Sequence, residues 1–141
     1  MPNASTAFVD TNILLYAASG RAADVAKTAR ALELVTNTQV CLSFQVLQEF
    51  YANAVNPKKL GMTPAEAVDW CNAWLQCPIA SLSVDTLIRT LELVHRCQIS
   101  NWDAAILAAA QQLGCTIVYS EDLNHGQEYD GVRVENPFHG L

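Results

Sequence analysis

Ala7-Phe8-Val9-Asp10-Thr11-Asn12-Ile13-Leu14-Leu15 is the stretch that decides the fold. An unbroken apolar triplet closed by an acid, with a helical run from Ile13 to Ala18 directly behind it, is the pattern of a strand buried on both faces that feeds a helix. Similar runs recur down the chain. Gln39-Val40-Cys41-Leu42 predicts a second strand, and Ser43 an N-cap for a helix with the apolar stripe Val46, Leu47, Phe50, Tyr51 and Ala54, stopped by Asn56-Pro57. Ile79 to Leu82 and Thr116 to Tyr119 predict a third and a fourth strand. Among the remaining helices, Ala22 to Val35 should turn Val25, Ala29 and Leu32, with Leu34 and Val35, inward. Thr63-Pro64-Ala65-Glu66 is a capping box with proline at the first helical position, opening a helix to Gln76 that carries Val68, Cys71 and Leu75. Val84 to Cys97 puts Leu87, Leu91 and Val94 on one face. Ser100 caps a last helix, through Leu113, that is so apolar between Ala104 and Ala110 that it belongs in the middle of the fold. Residues 120–141 read as polar and turn-rich, with one short strand at Val132 to Val134. Short buried strands alternating with longer helices predict an α/β fold, a three-layer α/β/α sandwich around a short parallel sheet.

Composition narrows the class. A length of 141 residues suits one domain over 1–141, and 51% hydrophobic against 16% charged residues excludes disordered, collagen-like and polybasic chains. The five cysteines are odd in number and form no C-x-x-C pair, so they read as reduced thiols of a cytoplasmic protein. No segment approaches the roughly 18 apolar residues of a membrane span, and no targeting run opens the sequence. Eight basic residues against 14 acidic ones give a net charge of −6, which argues against gripping nucleic acid by charge alone.

In an open α/β sheet, ligands collect outside the carboxyl ends of the strands. Asp10 ends the first strand there; Ser120, Glu121 and Asp122 follow the fourth; Asp103 lies in the first turn of the last helix, and Glu49 points away from the apolar stripe of its own helix. Converging carboxylates repel unless a cation neutralises them, and hard oxygen ligands select Mg²⁺ or Mn²⁺. Such an ion activates water and neutralises a phosphoryl oxygen, so the chemistry suggested is phosphate-ester hydrolysis. Each acid also has a structural reading: Asp103 as a capping-box acid, Glu49 on a solvated helix face, Asp122 in a turn. Asp10 is different, because a carboxylate closing an apolar strand is costly to bury without a partner or a metal. His95, His125 and His139 have no metal-site spacing, and Trp70 and Trp74, four apart on one helix, read as packing.

With Asp10-Thr11-Asn12 after the first strand, Glu49 after the second, Trp102-Asp103-Ala104 opening a helix and Ser120-Glu121-Asp122 after the fourth, the chain resembles the PIN domain over essentially its whole length. The ending, Ser120 to Gly126 through Asn136-Pro137-Phe138, looks like bacterial members of the VapC type. That resemblance implies a Mg²⁺- or Mn²⁺-dependent ribonuclease acting on RNA. In VapC-type proteins it is the toxin of a type II toxin–antitoxin system, held by an antitoxin and usually a homodimer. Carried over by position, Asp10, Glu49, Asp103 and Asp122 would hold the metal, Asn12 and Ser120 would orient ligands or water, and Thr11 would support a ligand at one remove. The role of Glu121 stays open. Competing readings are a catalytically weak dimerisation or binding module on the same fold, and a housekeeping RNA-processing nuclease without an antitoxin. An Asp-nucleophile phosphatase is disfavoured, since that chemistry usually places a second Asp where this chain has Asn12.

Overall fold

A computed structural model describes residues 6–19 and 24–141. The opening triplet forms β1 (Thr6–Val9), with Ala7, Phe8 and Val9 buried, and Asp10 ends it as the N-cap of α1 (Thr11–Ala18). α2 (Val25–Asn37) leads to β2 (Gln39–Ser43), whose last residue caps α3 (Phe44–Val55) through a bond from the Val46 N–H to the Ser43 hydroxyl. The Thr63–Glu66 capping box opens α4 (Pro64–Trp74), followed by β3 (Ile79–Ala80), α5 (Val84–Cys97), α6 (Asn101–Gln112) and β4 (Ile117–Tyr119). A hairpin of β5 (Glu128–Tyr129) and β6 (Val132–Glu135) closes the chain.

The six strands form one sheet in the order β3-β2-β1-β4-β6-β5, parallel throughout except for the antiparallel β5–β6 pair. Register is set at the centre, where Phe8 of β1 stands between Cys41 of β2 and Val118 of β4. The steps from β1 to β2 to β3 move one way across the sheet, and the step from β3 to β4 moves back. Right-handed crossovers then place α1 to α4 on one face and α5 with α6 on the other. The packing agrees: α1 lies on α2 and α3, α3 on α4, and α5 on α6. The layers are the expected α/β/α sandwich. The direction in which the chain winds across the sheet reverses between the parallel neighbours β1 and β4, and that is where a crevice opens in a doubly wound sheet.

Several side-chain expectations are corrected. The third strand is only Ile79–Ala80, because Ser81 to Ser83 turn away to cap α5. The helix predicted to start at Ala22 is described from Val25, and its first expected residues lie outside the described ones; Leu34 is buried and Val35 half-buried as expected, but Val25, Ala29 and Leu32 are exposed and Ala31 takes the other inward place. In α3 Tyr51 is exposed, and in α4 the buried residues are Ala67 and Trp74, not Val68 and Leu75. In α5 the inward face is Thr90 and Leu93, whereas Leu87 and Leu91 are each 55% exposed. The C-terminal stretch is not a polar tail: Leu123, Tyr129, Val132, Val134 and Phe138 all enter the core. Gly131, at a φ of 88°, makes the tight β5–β6 turn that allows this. The five cysteines are free thiols, with Cys41 and Cys115 buried. Among the described residues no helix is long and apolar enough to cross a membrane.

Candidate active site

The crevice above β1 and β4 is built by backbone geometry. The Asp10 N–H bonds to the Tyr119 carbonyl at 3.0 Å, so the ends of β1 and β4 are locked side by side. Two residues on, the Asp122 N–H bonds to the Ser120 hydroxyl at 3.2 Å, and that hydroxyl donates to Asp10 Oδ2 at 2.9 Å. Ser120 is fully buried, so both bonds form in a low-dielectric environment where they are strong and their loss is costly. The other Asp10 oxygen accepts the Thr11 N–H at 2.7 Å as the first turn of α1 begins. One carboxyl therefore caps a helix and ties two strands together.

The neighbouring residues orient the other acids. Thr11, buried, donates through Oγ1 to Glu49 Oε2 at 3.0 Å, and Gln45, one turn earlier on α3, donates to Glu49 Oε1 at 3.1 Å. Asn12 Nδ2 reaches Asp122 Oδ2 at 3.3 Å. Asp103 follows Ser100, whose hydroxyl accepts the Asp103 N–H at 3.1 Å. The reciprocal arm of a capping box is absent here, in contrast to Thr63–Glu66, so capping does not occupy the Asp103 carboxylate. Glu121 pairs with Lys27, 3.0 Å from its Nζ, while its charge still acts on the neighbouring Asp122. Gln45 and Lys27 have no signal in the sequence, since each is recognised only by the acid it meets.

The electrostatics identify one group. Burial pushes the Asp10 carboxyl up to about 6, against the pull of its bonds to Thr11 and Ser120, and the charges of Asp122 and Glu49 add to the rise. Asp122 is raised as well, by partial desolvation and then by Glu121, Asp103 and Glu49. Asp122 thus lies within electrostatic reach of Glu49 and Asp103, and Asp10 within reach of Asp122 and Glu49. Among the described residues no three His, Cys, Asp or Glu side chains stand close enough to form a ready-made ion cage. The donor set itself is oxygen-only and desolvated on one side, which fits Mg²⁺ or Mn²⁺ and disfavours softer metals.

The remaining candidates are structural. His125 and His139 stack ring on ring at 4.1 Å, and His125 Nδ1 accepts the Asn136 N–H at 2.9 Å, which pins the final turn. Trp70 stacks on Trp74, which is buried edge-on against Phe50.

The PIN domain model matches residues 7–127. The chain belongs to the PIN domain family. Its crevice acids lie within the matched span, and the solved structures that resemble it agree on the fold. The VapC20 toxin of Mycobacterium tuberculosis, described as cleaving the sarcin–ricin loop, aligns with a TM-score of 0.63 at 22% identity, over 81% of this chain and 88% of its own. A toxin–antitoxin complex from Klebsiella pneumoniae aligns at 0.69 and 22% identity, over 94% and 98%. VapBC2 of Rickettsia felis, bound to a promoter DNA fragment, aligns at 0.62 and 18% identity, over 93% and 98%. The sequence has no match among curated proteins.

Proposed function

We propose that this PIN domain is a divalent-metal-dependent endoribonuclease, the toxin of a type II toxin–antitoxin pair. The observation that carries the reading is the Asp10 carboxyl, sunk at the β1–β4 reversal and raised to about 6, with Glu49, Asp103 and Asp122 around it. A desolvated carboxyl beside other acids is costly to keep ionised without a counter-charge and is a good ligand for a hard cation. Asp10, Asp103, Glu49 and Asp122 would hold Mg²⁺ or Mn²⁺, which when bound neutralises phosphate charge and supplies activated water. The chain's own residues do the orienting. Ser120 fixes one Asp10 oxygen, Thr11 and Gln45 fix both oxygens of Glu49, and Asn12 holds Asp122 at the rim. In-line attack by water gives a 5′-phosphate and a 3′-hydroxyl, because no 2′-hydroxyl takes part.

The partners follow from fold and surface. Two of the aligned structures are toxin–antitoxin complexes, which supports a cognate antitoxin here. A homodimer is supported by α5, where Val84, Leu87, Ile88 and Leu91 form a second apolar stripe that faces solvent next to Leu82 and Trp102. Each of these six residues is more than half exposed, and exposed large apolar side chains grouped in this way mark interaction surfaces.

Incubation of the purified chain with a panel of structured RNAs and Mn²⁺ tests the reading: cleavage that EDTA stops and Asp103→Asn removes is expected. Full cleavage by Asp103→Asn refutes it. Absence of both cleavage and Mn²⁺ uptake by calorimetry points to the binding-module alternative.

A further inference from the structure

Lys27 stands in the first turn of α2, where its N–H bonds to the capping Asp24. A cation there opposes the helix dipole, so helix formation does not explain it. Its ammonium lies 5.3 Å from the centre of the Tyr16 ring and 5.2 Å from that of Phe138, two rings that pack edge-to-face at 5.1 Å. The side chain is thereby held in one direction, toward the site, and ends 3.0 Å from Glu121, the residue before Asp122. Its side chain keeps 29% of its exposure and that of Glu121 keeps 18%, and the Glu121 charge acts on Asp122, so the pair is partly open to solvent and lies beside the crevice acids. An ammonium has three donors and the Glu121 bond uses one.

We propose that Lys27 is an RNA-binding residue that takes a backbone phosphate beside the carboxylate crevice, with Glu121 holding the ammonium in position and limiting its affinity. The inference rests on the ribonuclease reading. A chain with eight basic residues and a net charge of −6 has few ways to hold a phosphodiester outside the metal site. Lys27 is one that reaches the rim already oriented, so little side-chain entropy is lost when phosphate arrives. The alternative is a plain structural tie between α2 and the loop after β4. The two readings differ in sign. A tie is lost equally from either end, whereas a phosphate ligand is lost with Lys27 and strengthened when the competing charge of Glu121 is removed.

The experiment measures binding of a fluorescent mixed-sequence RNA to the full chain carrying Asp103→Asn, with Mn²⁺ present, across a salt series. Added Lys27→Gln should weaken binding roughly 3- to 10-fold at low salt and reduce the slope of log K against log salt by about 0.7, one single-strand phosphate contact. Lys27→Arg should retain the slope. Glu121→Gln, which keeps an acceptor for the lysine, should tighten binding roughly 3-fold. Thermal melts of each variant report folding. An unchanged slope in Lys27→Gln, or weakening by both Lys27→Gln and Glu121→Gln, overturns the inference and leaves the nuclease reading intact. No RNA binding by the Asp103→Asn chain, together with no cleavage by the wild type, overturns both.

Discussion

Replacing Asp10 with Asn should make the metal-free protein more stable, and the size of the gain follows from the site. Holding the carboxyl at about 6 when its unfolded value is near 3.8 costs about 3 kcal/mol at neutral pH. Below the unfolded value both states carry the proton and the cost is absent. Between that value and 6 the folded state holds a proton that the unfolded state has released, so stability falls as pH rises. Above 6 the full cost is present. Asparagine escapes it but gives up part of the charge-assisted bonding to the Thr11 N–H and the Ser120 hydroxyl, worth roughly 1–2 kcal/mol. A net gain of about 1–2 kcal/mol at neutral pH raises Tm by about 5 °C in a domain of this size. Thermal melts of both proteins in EDTA, from about pH 4 to about pH 8, should show the difference growing from near zero, or slightly unfavourable, as pH rises through 6. Adding Mn²⁺ should raise the wild type and not the variant, because only the intact site binds the ion in the folded state. A Tm difference that does not change with pH, or a variant less stable than the wild type at about pH 8, would refute the placement of an uncompensated carboxyl at this reversal.

Three further outcomes follow from the same geometry. Ser120→Ala removes a fully buried hydroxyl bonded to Asp10 and to the Asp122 N–H; it should cost about 1–3 kcal/mol in denaturant melts and raise the Asp10 titration still further, as read by carboxyl ¹³C NMR. Thr11→Val keeps the shape of a buried side chain and loses its bond to Glu49, so stability should fall by about 1 kcal/mol while Mn²⁺ affinity in calorimetry drops more than fold stability does. Leu87→Glu combined with Leu91→Glu should leave Tm nearly unchanged, because both side chains face solvent in the single chain, and should convert a dimer to a monomer in analytical ultracentrifugation. An unchanged sedimentation coefficient would remove α5 as the self-association face.

The central strands were legible because burial on both faces leaves an unbroken apolar run, and Asp10 was legible because an acid at the end of such a run has no packing explanation. The caps at Ser43, Thr63 and Ser100 were legible for a similarly local reason, since a hydroxyl satisfies an N–H three residues away. What stayed hidden was non-local. Helical periodicity marks an apolar face without saying whether that face meets the sheet or the solvent, and in α5 the residues that looked inward, Leu87 and Leu91, form the outer stripe while Thr90 takes the buried place with a hydroxyl bond to the Thr86 carbonyl. β5 is only two residues long and exists through its pairing with β6, so no pattern within it could reveal it. At the site, Thr11–Glu49, Asn12–Asp122 and Lys27–Glu121 join residues 38, 110 and 94 positions apart. Sequence supplies the candidates for such pairs and tertiary structure chooses among them.

The acidic balance takes on a specific meaning once these pairs are known. Asp10, Glu49, Asp103, Glu121 and Asp122 account for most of the net charge: without them nine acids face eight bases, a net of −1. Lys27 answers Glu121, which leaves four acids at the crevice, and the bonds to Asp10, Glu49 and Asp122 come from neutral donors: hydroxyls, amides and a backbone N–H. Neutral donors orient a carboxylate without satisfying its charge. The site is therefore arranged but not neutralised, and a phosphate cannot approach it against that field unless a cation arrives with it or before it. This orders the events of the proposed reaction. Metal binding precedes productive RNA binding, so the RNA affinity of the wild-type chain should rise on adding Ca²⁺, a hard cation that fills oxygen sites, and Asp10→Asn should reduce that rise while the metal-independent affinity through Lys27 remains.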